Sequence, residues 1–127
     1  MNQKGFATLE VILMVVVIGI LATIAVPRFT DITTNANTAK IQADLATLNS
    51  AMAVYEMENG ALPSDFATLV SKNYLVAEPV KPSSGKFYVN TEDNAVDVGT
   101  LSYGINTEKK QAKFGEYLIG QIGKKSS

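Results

Sequence analysis

From Val11 to Val26 the chain carries no charged side chain, and Thr23 is the only polar one. Extended back to Phe6, this run gives about 20 helical residues at roughly 1.5 Å rise each, enough to cross a hydrocarbon core about 30 Å thick. No other feature narrows the fold so far, because a helix this uniformly apolar must be surrounded by lipid or by other helices. Glu10, at the start of the run, does not fit that picture. A carboxylate there costs about 2–3 kcal/mol at worst and less near the interface, so it calls for a partner. Gly19 and Pro27 are the weak points of the helix. Proline lacks an N–H and crowds the carbonyl of Thr23, which predicts a kink or local opening.

Beyond the run, the period changes character. From about Arg28 to Asn59 the pattern is that of an amphipathic helix: Ile41, Leu45, Leu48, Met52 and Tyr55 step by four and three and share one stripe. Ala39, Ala43, Ala46 and Ala53 are expected to widen it, with Lys40, Asp44, Thr47 and Glu58 elsewhere on the surface. Asn59-Gly60 reads as the helix stop, with Pro63 beyond it. Such a stripe is a docking face for a sheet. Ser64 is the expected N-cap of a short helix with Asp65 in its first turn and Phe66, Leu69 and Val70 on its buried side, ending near 73–75. Short runs at 86–90, 95–98, 101–105 and 114–119, separated by turn-like TEDN and NTEKKQAK, predict an antiparallel meander. The fold class is therefore α+β: a long N-terminal helix with a hydrophobic first half, packed on a small antiparallel sheet.

Composition excludes more than it suggests. The chain has 127 residues and a net charge of −1, which argues for no nucleic-acid or membrane-surface partner. There is no cysteine, hence no disulfide framework, thiol chemistry or cysteine-bound zinc, and no histidine, the commonest general base and metal ligand. The expectation is a protein that is not an enzyme and carries no cofactor or metal. Only roughly 65 residues remain for the globular part, a marginal core without staples, so packing into an assembly is an expected source of stability. Glu92, Asp93 and Asp97 cluster near the sheet, but their spacing matches no calcium loop. Lys109, Lys110 and Lys113 make a basic patch without an aromatic platform, so contact with nucleic acid is the lesser reading beside a solvated hairpin tip. The five tyrosines (55, 74, 88, 103, 117) read as core and sheet residues.

The start of the chain, KGFATLE, followed by the apolar run and VPRF, resembles the type IV pilins and the related pseudopilins of type II secretion and competence systems. YEMENGALPSDFATLVSKNYL and EPVKPSSGKFYV resemble more loosely that family's passage from the long helix to a short helix and into the sheet. The order Ala7-Thr8-Leu9 departs from the Thr-Leu that commonly follows the phenylalanine, while the spacing from Phe6 to Glu10 is kept. The resemblance implies a leader at 1–5, a transmembrane and filament-core helix at 6–27, its amphipathic continuation at 28–60 and a globular head at 61–127. It also implies cleavage after Gly5 by a prepilin peptidase, methylation of the new amine on Phe6, and Glu10 pairing with the Phe6 amine of a neighbouring copy. Gly19 and Pro27 would flank a stretch that loosens in the filament.

The implied function is that of a structural subunit polymerising with itself at an inner-membrane assembly platform, together with minor pilins. It would be a single-pass cytoplasmic-membrane protein first, then part of an extracellular or periplasmic filament serving adhesion, motility, DNA uptake or protein secretion. The alternative is a signal-anchored extracytoplasmic binding domain that never polymerises. Ordinary signal cleavage after Ala25 would remove the helix altogether.

Overall fold

The computed structural model describes residues 3–126, with side chains for residues 5–21 and 31–126. Helix α1 spans Gln3–Asn59, and a short helix α2 spans Phe66–Ser71. The chain divides into two compact units, Met1–Ile32 and Thr33–Ser127. Five short strands follow α2 within the second unit: β1 (Lys86–Phe87), β2 (Val96–Asp97), β3 (Tyr103–Asn106), β4 (Gln111–Phe114) and β5 (Tyr117–Leu118), then a 3-10 turn at Ile119–Gln121.

The second unit is organised by one stripe of α1. Ile41, Leu45 and Leu48 are fully buried, as is Met52, and Tyr55 packs against the same cluster. The stripe extends further back than expected, through the buried Thr34 and Thr38, so that 34, 38, 41, 45, 48, 52 and 55 recur every 3.5 residues on one face. The alanines expected to widen it do not: Ala39, Ala43, Ala46 and Ala53 are exposed, and Ala51 is the buried one. Alanine favours helix wherever it stands, so its presence does not report which face is covered. Opposite the stripe lie Phe87, Val89, Val98, Ala112, Phe114 and Ile122, with Phe66 and Leu69 of α2 closing the side. Phe87 meets Phe114 edge-on at 5.2 Å and Tyr117 at 5.9 Å. Each large side chain buried this way contributes about 1.5–3 kcal/mol.

Four polar side chains of α1 tie it to backbone that the sheets leave open. Asn37 Nδ2 donates to the carbonyls of Ser84 and Lys86, both at 3.0 Å. Thr38 Oγ1 donates to the Thr34 carbonyl at 2.7 Å and accepts the Tyr88 N–H at 2.8 Å. Gln42 Nε2 donates to the Ile122 carbonyl at 2.6 Å, and Asn49 Oδ1 accepts the Ala112 N–H at 2.6 Å. These bonds supply partners for main-chain groups at short strand ends, where a ladder cannot. Gly85 sits inside the first clamp at φ +91°, and a Cβ there would lie 2.9 Å from Asn37 Nδ2.

Several local expectations need correction. α1 does stop at Asn59, with Gly60 at φ +80° donating to the Glu56 carbonyl. The N-cap of α2, however, is Asp65 and not Ser64: extended at φ −156°, it accepts both the backbone N–H and the hydroxyl of Thr68. A carboxylate makes the stronger, charge-assisted cap. The same bonds hold the Asp65 carboxyl below the usual carboxylate range. The single meander is instead two sheets. β1 pairs with β2, while β3, β4 and β5 form a three-stranded antiparallel sheet. The break falls at a turn in which the Leu101 N–H bonds back to the Val98 carbonyl and Gly99 adopts φ +47°. β4 was expected as loop. Its residues Gln111, Ala112, Lys113 and Phe114 alternate half-buried and buried, but a lysine and an alanine hide that alternation from a hydropathy reading. Asp44, expected on the outer surface, lies at the stripe's edge, accepting the Tyr103 hydroxyl at 2.5 Å and the Lys40 ammonium at 2.9 Å.

Two outcomes follow. Leu45→Ala, at the centre of the stripe, should lower stability by about 2–5 kcal/mol, whereas Ala46→Ser beside it should change it by less than about 0.5 kcal/mol, measured by denaturant unfolding of the full chain in detergent. Burial, then the bond to Asp44, pushes the Tyr103 hydroxyl well above the ordinary tyrosine value of 10.0. The folded chain thus favours neutral Tyr103, so its stabilising share is fully present below pH 10 and falls as pH rises past it. For one such group the fall is at most about 1.4 kcal/mol per pH unit. Tyr103→Phe should flatten the alkaline side of a stability–pH curve, and an unchanged alkaline slope would contradict the assignment.

Candidate functional site

Helical residues 5–21, in the unit Met1–Ile32, present no covered face. Every large apolar side chain from Phe6 to Leu21 keeps 52–65% of its surface accessible, where the core side chains of the other unit keep 0–8%. Glu10 is exposed and its side chain, among the described residues, makes no hydrogen bond or ion pair. It heads a shallow apolar depression formed with Leu13, Met14, Val17 and Ile18, the i+3, i+4, i+7 and i+8 neighbours on its own face. The carboxylate therefore sits at one end of an otherwise greasy stripe, and four residues before it on the same face stands Phe6.

The glycines of this segment are not demanded by local packing. A Cβ at Gly5 or at Gly19 would meet nothing within 4 Å. The kink expected at Pro27 falls on a residue outside those whose side chains are described. Among the described residues no helix is long and apolar enough to cross a membrane, and the apolar run continues into 22–30, whose side chains are outside that set.

The remaining candidates are occupied by ordinary partners. Glu92 accepts the Tyr117 hydroxyl at 3.0 Å, Asp93 pairs with Lys125 at 2.7 Å, and Asp97 stands in register with Lys86 across the β1–β2 pair. Among the described residues no three acidic side chains converge as a metal site would need. Lys110, left-handed at φ +55°, reaches Glu56 at 2.8 Å, and that bond raises its ammonium above the ordinary lysine value. Lys113 lays its stem along Gly104, and Lys109 contributes its backbone N–H to Asn106. The structure does not gather the three lysines round one partner. Tyr55 and Tyr74 pack edge-on at 5.2 Å, and Tyr88 lies under the Lys124 ammonium at 5.6 Å. Sequence reasoning missed the polar ties Asn37, Thr38, Gln42 and Asn49. The signal that pointed to them was polar residues recurring within and beside an apolar stripe.

No family model and no solved structure matches the chain. It is 42% identical over 64 residues to the type IV narrow pilus major component PilA5 of Thermus thermophilus, covering 50% of this chain and 55% of that protein. It is 30% identical over 87 residues to the type II secretion system core protein G of Klebsiella michiganensis, covering 68% of this chain and 59% of that one. A type IV major pilin protein PilE1 of Neisseria gonorrhoeae is 29% identical over 123 residues, covering 95% of this chain and 72% of that protein. The chain thus spans little more than half the length of the first two. The long N-terminal helix, the small antiparallel sheets and these matches agree: the chain is a homologue of the type IV pilins and of the type II secretion core protein G, the major pseudopilin.

Proposed function

We propose that the chain is a structural subunit of a type IV pilus or of a type II secretion pseudopilus, cleaved after Gly5 and polymerised through residues 6–27 into a helical filament. The observation that carries this reading is the unbroken exposure of apolar side chains from Phe6 to Leu21 around an unpartnered Glu10. Such a surface needs a cover from outside its own unit: first lipid, as a single-pass segment of the cytoplasmic membrane, then the same segment of other copies in an extracellular or periplasmic filament. The relatives' names, a pilus major component, a secretion-system core protein and a major pilin, support the same conclusion. In this scheme residues 1–5 are the leader, 6–27 the core helix, 28–60 its amphipathic continuation and 61–127 the head. A prepilin peptidase makes the cut and methylates Phe6, and an inner-membrane assembly platform and minor pilins receive the product.

Glu10 then has a chemical task. Cleavage leaves a positive amine on Phe6, about 6 Å along the axis from the Glu10 carboxylate. A second helix packed alongside and displaced by a comparable step brings its amine to this carboxylate. In a water-poor core the attraction is far stronger than at a surface, but desolvation offsets much of it, so the pair acts chiefly on register. A copy placed out of step strands one charge, and that is the costly state. Loosening between Gly19 and Pro27 would let neighbouring helices adjust their length as they pack.

The test is Glu10→Ala in the native cells. Truncating one member of a buried pair costs about 3–5 kcal/mol, so filament yield on shearing should fall at least tenfold while the protein stays in the membrane fraction. Unchanged filaments would contradict the Glu10 pairing, and unchanged function with no filaments in the parent strain would instead favour the signal-anchored binding domain that does not polymerise.

A further inference from the structure

The head carries an apolar projection and, beside it, an unfilled groove. Val76 is fully exposed and Val80 is 78% exposed, at the two ends of the short loop 76–80 that has only Ala77, Glu78 and Pro79 between them. Isolated exposed aliphatics are ordinary; two on one short loop, one of them with its whole surface in water, are a surface awaiting cover. The groove lies between α1 and residues 73–75. It measures about 510 Å3, within the range that accommodates a bound group, and is lined by Ser50, Ala51 and Val54 from the helix with Asn73 and Leu75 opposite. Asn73 is held in the left-handed region at φ +68° by the end of α2, where Tyr74 and Leu75 N–H groups both reach the Leu69 carbonyl. That wall is therefore fixed. The loop that carries Val76 leaves the wall directly and, with Val76 wholly exposed, does not fold back into the chain's own groove.

Charge matches the two features. Lys72 immediately precedes the groove wall and Glu78 stands between the two valines; both are exposed, and among the described residues neither side chain forms an ion pair. We propose that the loop 76–80 of one copy seats in the groove between α1 and 73–75 of the next, with Glu78 facing the partner copy's lysine at 72. The proposal rests on the filament reading above. The contact joins two different patches of the same chain, and a head-to-tail contact of that kind propagates as an open helical array where its rotation does not close a ring.

The chain has no cysteine, so introduced thiols report one contact at a time. Val76→Cys and Ser50→Cys, both at exposed positions, are produced together in the native cells, and sheared filaments are mildly oxidised. The expected result is a disulfide-linked dimer at least tenfold more abundant with both variants present than with either alone. Normal filaments that give no such dimer overturn the groove contact and leave the filament reading standing. No filaments from the unsubstituted chain overturn both. A Ser50→Cys thiol that reacts with a soluble maleimide in intact filaments as fast as in the detergent-dispersed subunit also overturns the contact, since the groove is then open to solvent or small ligands. In a second arm, Lys72→Glu and Glu78→Lys should each lower filament yield several-fold and the double exchange should restore it. A double variant no better than the singles contradicts the pairing.

Discussion

The second unit depends on one helical stripe. Seven positions from Thr34 to Tyr55, spaced every 3.5 residues, supply one side of the core, and neither sheet could stand without them. A two-stranded pair of two-residue strands and a three-stranded sheet of strands two to four residues long are each too small to be stable alone. The stripe gives both a common floor, and the ties from Asn37, Thr38, Gln42 and Asn49 set where along the helix each strand end rests. This is how a chain without a disulfide holds a head of this size: hydrophobic contact provides the bulk of the energy, and side-chain-to-backbone bonds provide position.

The other unit obeys the opposite rule. Its large apolar side chains from Phe6 to Leu21 each keep more than half of their surface open, and the Glu10 side chain among them has no partner among the described residues. One apolar surface of the chain is closed within the fold and another is left uncovered. That contrast, more than any single residue, is what the proposal of a subunit packing against its own kind rests on. The homology to pilins and to the secretion core protein G lies in the same direction.

How much of this was legible in the sequence depended on period. The stripe Ile41–Tyr55 and the stop at Asn59-Gly60 could be read directly, because helical spacing and a left-handed terminator are local signals. The alanines could not, since a residue that suits both buried and exposed helix faces carries no facing information. β4 was hidden by Lys113, whose aliphatic stem lies on the sheet while its type suggests a loop. The split into two sheets falls at the turn 98–101, where the Leu101 N–H bonds back to the Val98 carbonyl, and no hydropathy pattern marks that bond. At the candidate site, the spacing of Gly5, Phe6 and Glu10 was fully visible, and its chemistry needs a second copy that no single chain can display.

The most direct test is the intact mass and N-terminal residue of the protein recovered from filaments or membranes of its native cells. The account predicts a chain beginning at Phe6 and carrying one additional methyl group on its amine. A chain beginning at Val26 would contradict it, because the apolar helix and Glu10 would be gone. An intact Met1 terminus in cells that contain the peptidase would contradict it too, because the amine meant to pair with Glu10 would never have formed.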